Sequence, residues 1–165
     1  MGGILSCLLG VQCLDATQVS ILQKRFFREI FTSGAGGKNE GFAEKVALLS
    51  NFFSTGGRYN TAAFERILRE VCGEESLIES ASRLPVCKVF VAAMQMDVYP
   101  PDPYLFRNYC YPPDKQSRYR GGCERKVWEG LRATSAAPSM FSECVYGIYF
   151  IFYLFSYFWD LYFHF

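Results

Sequence analysis

The sequence predicts an α/β fold with too few strands for a complete sheet. Apolar residues recur at helical spacing in separate stretches over the first half of the chain and once more beyond residue 124. Between them lies an apolar, partly β-branched run followed by a second strand-like run, giving the order helix, helix, helix, strand, strand, helix. A chain of 165 residues suffices for one domain with a sizeable core and not for two.

The elements follow in order. Gly2 to Gln12 is small and apolar throughout, which predicts a helix buried on all sides. From Thr17 to Phe31 the apolar positions Val19, Leu22, Phe26 and Ile30 alternate with Lys24, Arg25, Arg28 and Glu29, an amphipathic helix. The glycine-rich Thr32 to Asn39 stretch lacks a Ser or Thr after Lys38 and the first glycine of the phosphate-cradle spacing, so it is expected to be a connector. Asn60 or Thr61 caps a helix with Phe64, Ile67, Leu68 and Val71 on one face, and Gly73 ends it.

Val86 to Val98 suits a strand buried in a sheet, and the three prolines of Tyr99 to Pro103 should stop it. Tyr104 to Cys110 reads as a second strand, and Tyr111 to Gly122 as a polar loop carrying Lys115, Arg118 and Arg120. A last helix from about Glu124 to Arg132 should bury Val127, Trp128 and Leu131.

Composition excludes several functions. Apolar residues make up 50% and charged residues 20%, and the net charge of +1 gives no basic stripe for nucleic acid. The seven cysteines are an odd number without a Cys-x-x-Cys pair, and the N-terminus lacks a charged region followed by a cleavage site. Reduced thiols in a cytoplasmic setting are therefore expected. His164 is the single histidine, so neither a zinc site nor a Ser-His-Asp enzyme has its ligands or base. No cofactor is expected.

The run Arg132-Ala-Thr-Ser-Ala-Ala-Pro138, together with Lys88 to Ala93, Phe106 to Tyr109, Tyr119 to Cys123 and Val127 to Leu131, resembles the patatin-like phospholipases, within them the gamma-type calcium-independent branch. Tyr59 to Leu68 resembles a helix of that branch, and Gly2 to Gly10 resembles the helix after the family's nucleophile elbow. The resemblance covers residues 2 to 146 and implies a three-layer α/β fold with a Ser-Asp dyad, the serine lying in Gly-x-Ser-x-Gly on a strand-to-helix turn. It implies a lipid acyl hydrolase whose partner is a phospholipid or acyl-chain surface.

Gly2 and Gly3 match the glycines that close the elbow motif, so the matching serine would precede Met1. The aspartate is expected in an Asp-Gly motif soon after Pro138, but the family-like text stops near Gly147, and Asp160 is followed by Leu161 and Tyr162. The resemblance thus leads to an incomplete domain over residues 1–146, with catalytic residues none and activity by itself not expected. Loss of a single oxyanion donor already costs on the order of 3 kcal/mol of transition-state stabilisation.

Ser54 sits in Phe53-Ser-Thr-Gly-Gly57 with Phe52 where the first glycine belongs, and no strand precedes it. Ser135 is read as a packing residue near the family's active site, and Arg132 as a cation at a helix C-terminus.

Residues 147–165 are read as an apolar tail helix and possible membrane segment. The sixteen residues between Glu143 and Asp160 are uncharged. As a helix they reach about 24 Å, short of a hydrocarbon core of about 30 Å. Arg118, Arg120, Arg125, Lys126 and Arg132 all precede the tail, which would leave the body cytoplasmic. Translated non-coding text and a buried packing segment are the competing readings. Met1 to Ser6 also fits an N-myristoylation pattern beside Cys7, although the elbow resemblance already accounts for the glycines. Three functions remain open: a truncated non-catalytic family member, a membrane-anchored lipid-binding or regulatory module, and a hydrolase using Ser54 or a partner's residues.

Overall fold

The computed structural model of the chain describes residues 2–32, 59–83, 87–137, 140–146 and 151–153. The glycine-rich 33–39 stretch, Ser54, Asp160 and His164 lie outside them.

Helix α1 spans Gly2–Gly10 and buries Ile4, Cys7 and Leu8. It is not buried on all sides as its composition suggests, because Ser6 is exposed and Leu9 is 49% exposed. Helix α2 spans Ala16–Phe26. Asp15 Oδ1 accepts from the backbone N–H of Gln18 at 2.8 Å, while Gln18 Oε1 accepts from the N–H of Asp15 at 3.0 Å, a reciprocal cap that satisfies two donors at the helix start. The predicted apolar face is present in Val19, Leu22, Phe26 and Ile30, but the helix widens into a π-helical turn over Phe27–Thr32.

Helix α3, Thr61–Cys72, starts where Asn60 Oδ1 accepts from Ala63 N at 3.0 Å. It stops at Gly73, whose φ of 67° favours glycine. Phe64, Ile67 and Leu68 are buried and Val71 partly so. Arg25 clasps Glu70 of α3 with both guanidinium nitrogens, at 2.7 and 2.8 Å, and holds the Glu70 carboxyl below its usual range. The short turn α4, Leu77–Ser80, is capped by Ser76 and Glu79.

The sheet has five strands: β1 Phe90–Gln95, β2 Asp102–Arg107, β3 Arg120–Gly122, β4 Cys144–Val145 and β5 Ile151–Tyr153. Their order is β3-β2-β1-β5-β4. β1 and β2 are antiparallel, with Phe90 opposite Arg107 and Gln95 opposite Asp102. β2 and β3 run parallel, with Phe106 opposite Gly122. β5 pairs with β1 on its other side and carries β4 outward.

Both predicted strands exist but are shorter at the end where they meet. The buried side chain of Asn108 accepts from Val89 N at 2.8 Å and donates to the Cys87 carbonyl at 2.9 Å. The next rung keeps one backbone bond, Asn108 N–H to the Val89 carbonyl at 3.2 Å, but the side chain takes the Val89 N–H that would complete it, so β1 starts only at Phe90 and β2 ends at Arg107. The prolines do not bar the ladder altogether, since Pro103 lies within β2 opposite Met94. It is the second residue of the strand, and β3 pairs only from Tyr104 onward, so its missing donor leaves no gap in that ladder.

Helix α5, Val127–Thr134, packs on the same sheet face as α1 and buries Val127, Trp128 and Leu131 as expected. Among the described residues these two helices cover the face carrying Val91 and Phe106. The α/β class holds. The tail departs from its expectation: Ile151–Tyr153 form a strand paired to Met94 and Gln95, not part of a helix. A run of β-branched and aromatic residues has high strand propensity, and β1 offers it a free edge. No helix among the described residues is long and apolar enough to cross a membrane.

Candidate functional site

The elbow-like glycines of α1 meet the end of α5 over the middle of β1. A Cβ on Gly3 would lie 2.8 Å from Thr134 Cγ2 and 3.4 Å from Val91 Cγ1. Thr134 cannot yield easily, because its hydroxyl donates to the Ala92 carbonyl at 2.7 Å. Gly2, one residue earlier, faces open space. The N-terminal turn of α1 is therefore fixed against β1 and α5 by a contact only glycine permits.

Beyond Thr134 the chain makes a tight turn. Ser135 N–H donates to the Arg132 carbonyl at 3.2 Å, Ala136 N–H to the Ala133 carbonyl at 3.2 Å and Ala137 N–H to the Ser135 carbonyl at 2.7 Å. Ser135 Oγ is buried without a hydrogen-bond partner among the described residues. A nucleophilic serine needs a base within hydrogen-bond reach, and this one has none there, which fits a packing role.

Arg132 does something different from what its place in the last turn of α5 suggests. Its side chain is 1% exposed. Nε donates to Glu65 Oε1 at 3.1 Å, and Nη2 donates to the Ser142 carbonyl at 2.6 Å. Ser142 N–H in turn donates to Thr61 Oγ1 at 3.2 Å, and the Tyr59 N–H to the Met140 carbonyl at 2.9 Å. The guanidinium thus reaches away from the helix end and ties the segment after α5 to the start of α3. Phe141 completes that seam, stacking on Phe64 with ring centroids 4.8 Å apart.

Two clefts flank this framework. One, of about 400 Å³, is lined by Glu65, Arg69, Arg125, Lys126, Trp128, Glu129 and residues Cys144 to Tyr146. Arg69 stacks 4.0 Å over Trp128 and pairs with Glu74 at 3.6 Å, and Lys126 also pairs with Glu74. With the Glu74 carboxylate already shared by two of its cations, it is a polar seam rather than a receptor for an anion. The other, of about 460 Å³, lies between β2, β3 and the loop joining them. Sequence reasoning missed both, since nothing in the spacing of Arg69 and Trp128, or of Arg107 and Tyr111, marks a shared wall. Among the described residues no cluster of His, Cys, Asp and Glu is placed to hold a metal ion.

No protein-family model matches the chain, and no solved structure matches it. Curated proteins do. Phospholipase A I of Arabidopsis thaliana is 32% identical over 178 aligned residues, covering 83% of this chain. Calcium-independent phospholipase A2-gamma of Oryctolagus cuniculus is 34% identical over 149 residues, covering 88% of this chain. The Homo sapiens protein of the same name is 40% identical over 92 residues, covering 54% of this chain. The chain belongs to the patatin-like phospholipase family. It spans only a small part of these relatives, 14%, 17% and 12% of their lengths respectively. Membership gives the α1–β1–α5 contact its meaning, because α1 is the element that resembles the helix after the family's elbow.

The core beneath the site holds buried thiols. Burial pushes Cys7 of α1 and Cys72 of α3 up to about 12, with their mutual proximity adding to the shift at Cys7. The unfolded chain releases these protons at the ordinary value of 9.0. The folded state therefore holds more protons above that value, and stability falls as pH rises from 9.0 towards 12. Urea midpoints measured across that range should decline, with a shallower slope in Cys72→Ala; an equal slope would remove the assignment. Gly3→Val should destabilise the fold by about 1–3 kcal/mol, as overpacking does, whereas Gly2→Val should leave the urea midpoint nearly unchanged.

Proposed function

We propose that this chain is the part of a lipid acyl hydrolase domain that carries and backs the helix following the nucleophile, and that by itself it does not hydrolyse lipids. The contact of Gly3 with Thr134 and Val91 carries the reading, since it seats the elbow-like helix on the sheet at its N-terminal turn. The relatives' names support a phospholipid as the class of molecule such a domain addresses. Chemistry would require an activated hydroxyl, its base and donors for the oxyanion. Gly-x-Ser-x-Gly and Asp-Gly occur nowhere in the 165 residues. Ser135, buried beside the turn, has no base among the described residues.

Reaction of the folded chain with a fluorophosphonate probe should label no serine, and a fluorogenic acyl ester should be hydrolysed no faster than in buffer. Labelling of any serine, or turnover that vanishes in Ser54→Ala or Ser135→Ala, would overturn this reading.

A second reading, a lipid-binding or regulatory module held at a membrane, is favoured by the sixteen uncharged residues between Glu143 and Asp160. Phe and Tyr dominate that run, and such side chains suit the boundary between headgroups and acyl chains. The chain should then co-sediment with phosphatidylcholine vesicles, and a variant with Phe155, Phe158 and Trp159 changed to Ser should not. Intact chain remaining wholly in the supernatant removes the second reading and leaves the first untouched.

A further inference from the structure

We propose that Cys110 and Cys123 form a reversible redox pair, an oxidation site that a peroxide converts into a disulfide within the chain. The pair is independent of the proposed function. Cys110 lies just past the end of β2 and Cys123 directly after β3. Because these strands are parallel neighbours with Phe106 opposite Gly122, both exits fall at one end of the sheet. The two sulfurs lie 2.8 Å apart. Both residues are free thiols, Cys110 exposed and Cys123 half-buried.

The segment between them is held in place from several sides. Arg107, itself buried, donates from Nη1 to Ser117 Oγ at 2.8 Å and stacks 4.9 Å over Tyr111. Ser117 Oγ donates to the Tyr119 carbonyl at 2.8 Å. Asn108 pins the end of β2 to Cys87 and Val89. The sulfurs therefore meet as part of an ordered loop that walls the 460 Å³ cleft, and bonding requires only a short further approach to about 2.05 Å. Cys7, Cys72 and Cys144 are buried, away from an oxidant in solution.

The chemistry balances with peroxide as the oxidant. The exposed Cys110 thiolate attacks the O–O bond and becomes a sulfenic acid, and the displaced hydroxide takes a proton to leave as water. The Cys123 sulfur then attacks the Cys110 sulfur, its proton joining the departing hydroxide as a second water. Two thiols and one peroxide give one disulfide and two waters. Cys110 is the more exposed of the two, so the oxidant meets it first, while burial, and then the contact with Cys110, push the Cys123 thiol up to about 11.

The disulfide closes the loop across a separation of 13 residues. By restricting the unfolded chain it should raise the thermal midpoint of the oxidised form, and it should fix the mouth of the cleft. The test is brief treatment of the folded full chain with hydrogen peroxide, alkylation of remaining thiols and peptide mass mapping without reduction. The expected result is a cross-linked peptide joining Cys110 and Cys123, lighter by two hydrogens than the sum of its parts. Dithiothreitol should abolish it, and Cys110→Ser and Cys123→Ser should each lack it. Chain oxidised in concentrated urea should give scrambled pairs instead. Recovery of both residues as separate alkylated or oxidised forms from the folded chain, or a predominant bond from either one to another cysteine, would overturn the proposal.

Discussion

The structure depends on how closely two helices approach one strand. Gly3 and Gly130 both lie against Val91, with the Cβ each lacks at 3.4 and 3.5 Å from that side chain, and Gly10 lies against Val89. Two of these three positions are seven residues apart on α1 and therefore share a helix face, so α1 lies along β1 with its own backbone at the contact. The same β1 is the middle strand, paired to β2 on one edge and β5 on the other. Displacement of α1 would therefore disturb the helical layer and the strand that organises the sheet together. Thr134 locks the arrangement from the α5 side through its bond to the Ala92 carbonyl.

Burial carries more of the remaining stability than charge. Arg25, Glu29, Glu70 and Arg66 lace α2 to α3, yet each side chain keeps a third or more of its surface, or close to it, in solvent. Exposed pairs of this kind contribute at most about 1 kcal/mol each. Beneath them Phe26 meets Phe64 edge to face at 6.0 Å, and Phe64 stacks on Phe141. Aromatic contacts of this type contribute about 0.5–1.5 kcal/mol beyond the area they bury. The salt bridges orient the helices, and the aromatic column joins them to the segment after α5.

The helices were legible because their signals are local. Asn60, Gly73 and the Phe64, Ile67, Leu68 stripe place α3 almost to the residue, since a cap, a stop and a 3.6-residue period all act within one element. The three additional strands had no such signal. β3 consists of Arg120, Gly121 and Gly122, with a Cβ on Gly121 placed 2.2 Å from the Leu105 carbonyl; it is a strand because β2 accepts it, not because its residues favour one. β5 shows the same dependence on a partner, where Ile151–Tyr153 take up the edge of β1. Of the site, the glycines of α1 and the run from Arg132 to Ala137 were visible as a resemblance. The job of each residue was not, because Thr134 and Arg132 act through partners 42 and 67 positions away.

Arg132 shows what the run from Arg132 to Ala137 does for the fold. A buried guanidinium is costly unless its donors are met, and here Glu65 and Ser142 meet Nε and Nη2 while Nη1 has no hydrogen-bond partner among the described residues. Such an arrangement constrains geometry more than it stabilises: it dictates where the chain goes after α5. Thr134 fixes the end of α5 to β1, Arg132 ties Ser142 beyond the turn to α3, and Ala136 and Ala137 are buried within the turn, leaving little space for larger side chains. Helix α1 and this turn are thus held by one rigid framework, the condition a two-residue dyad imposes, since misplacement by about 1 Å can cost a hundredfold in rate.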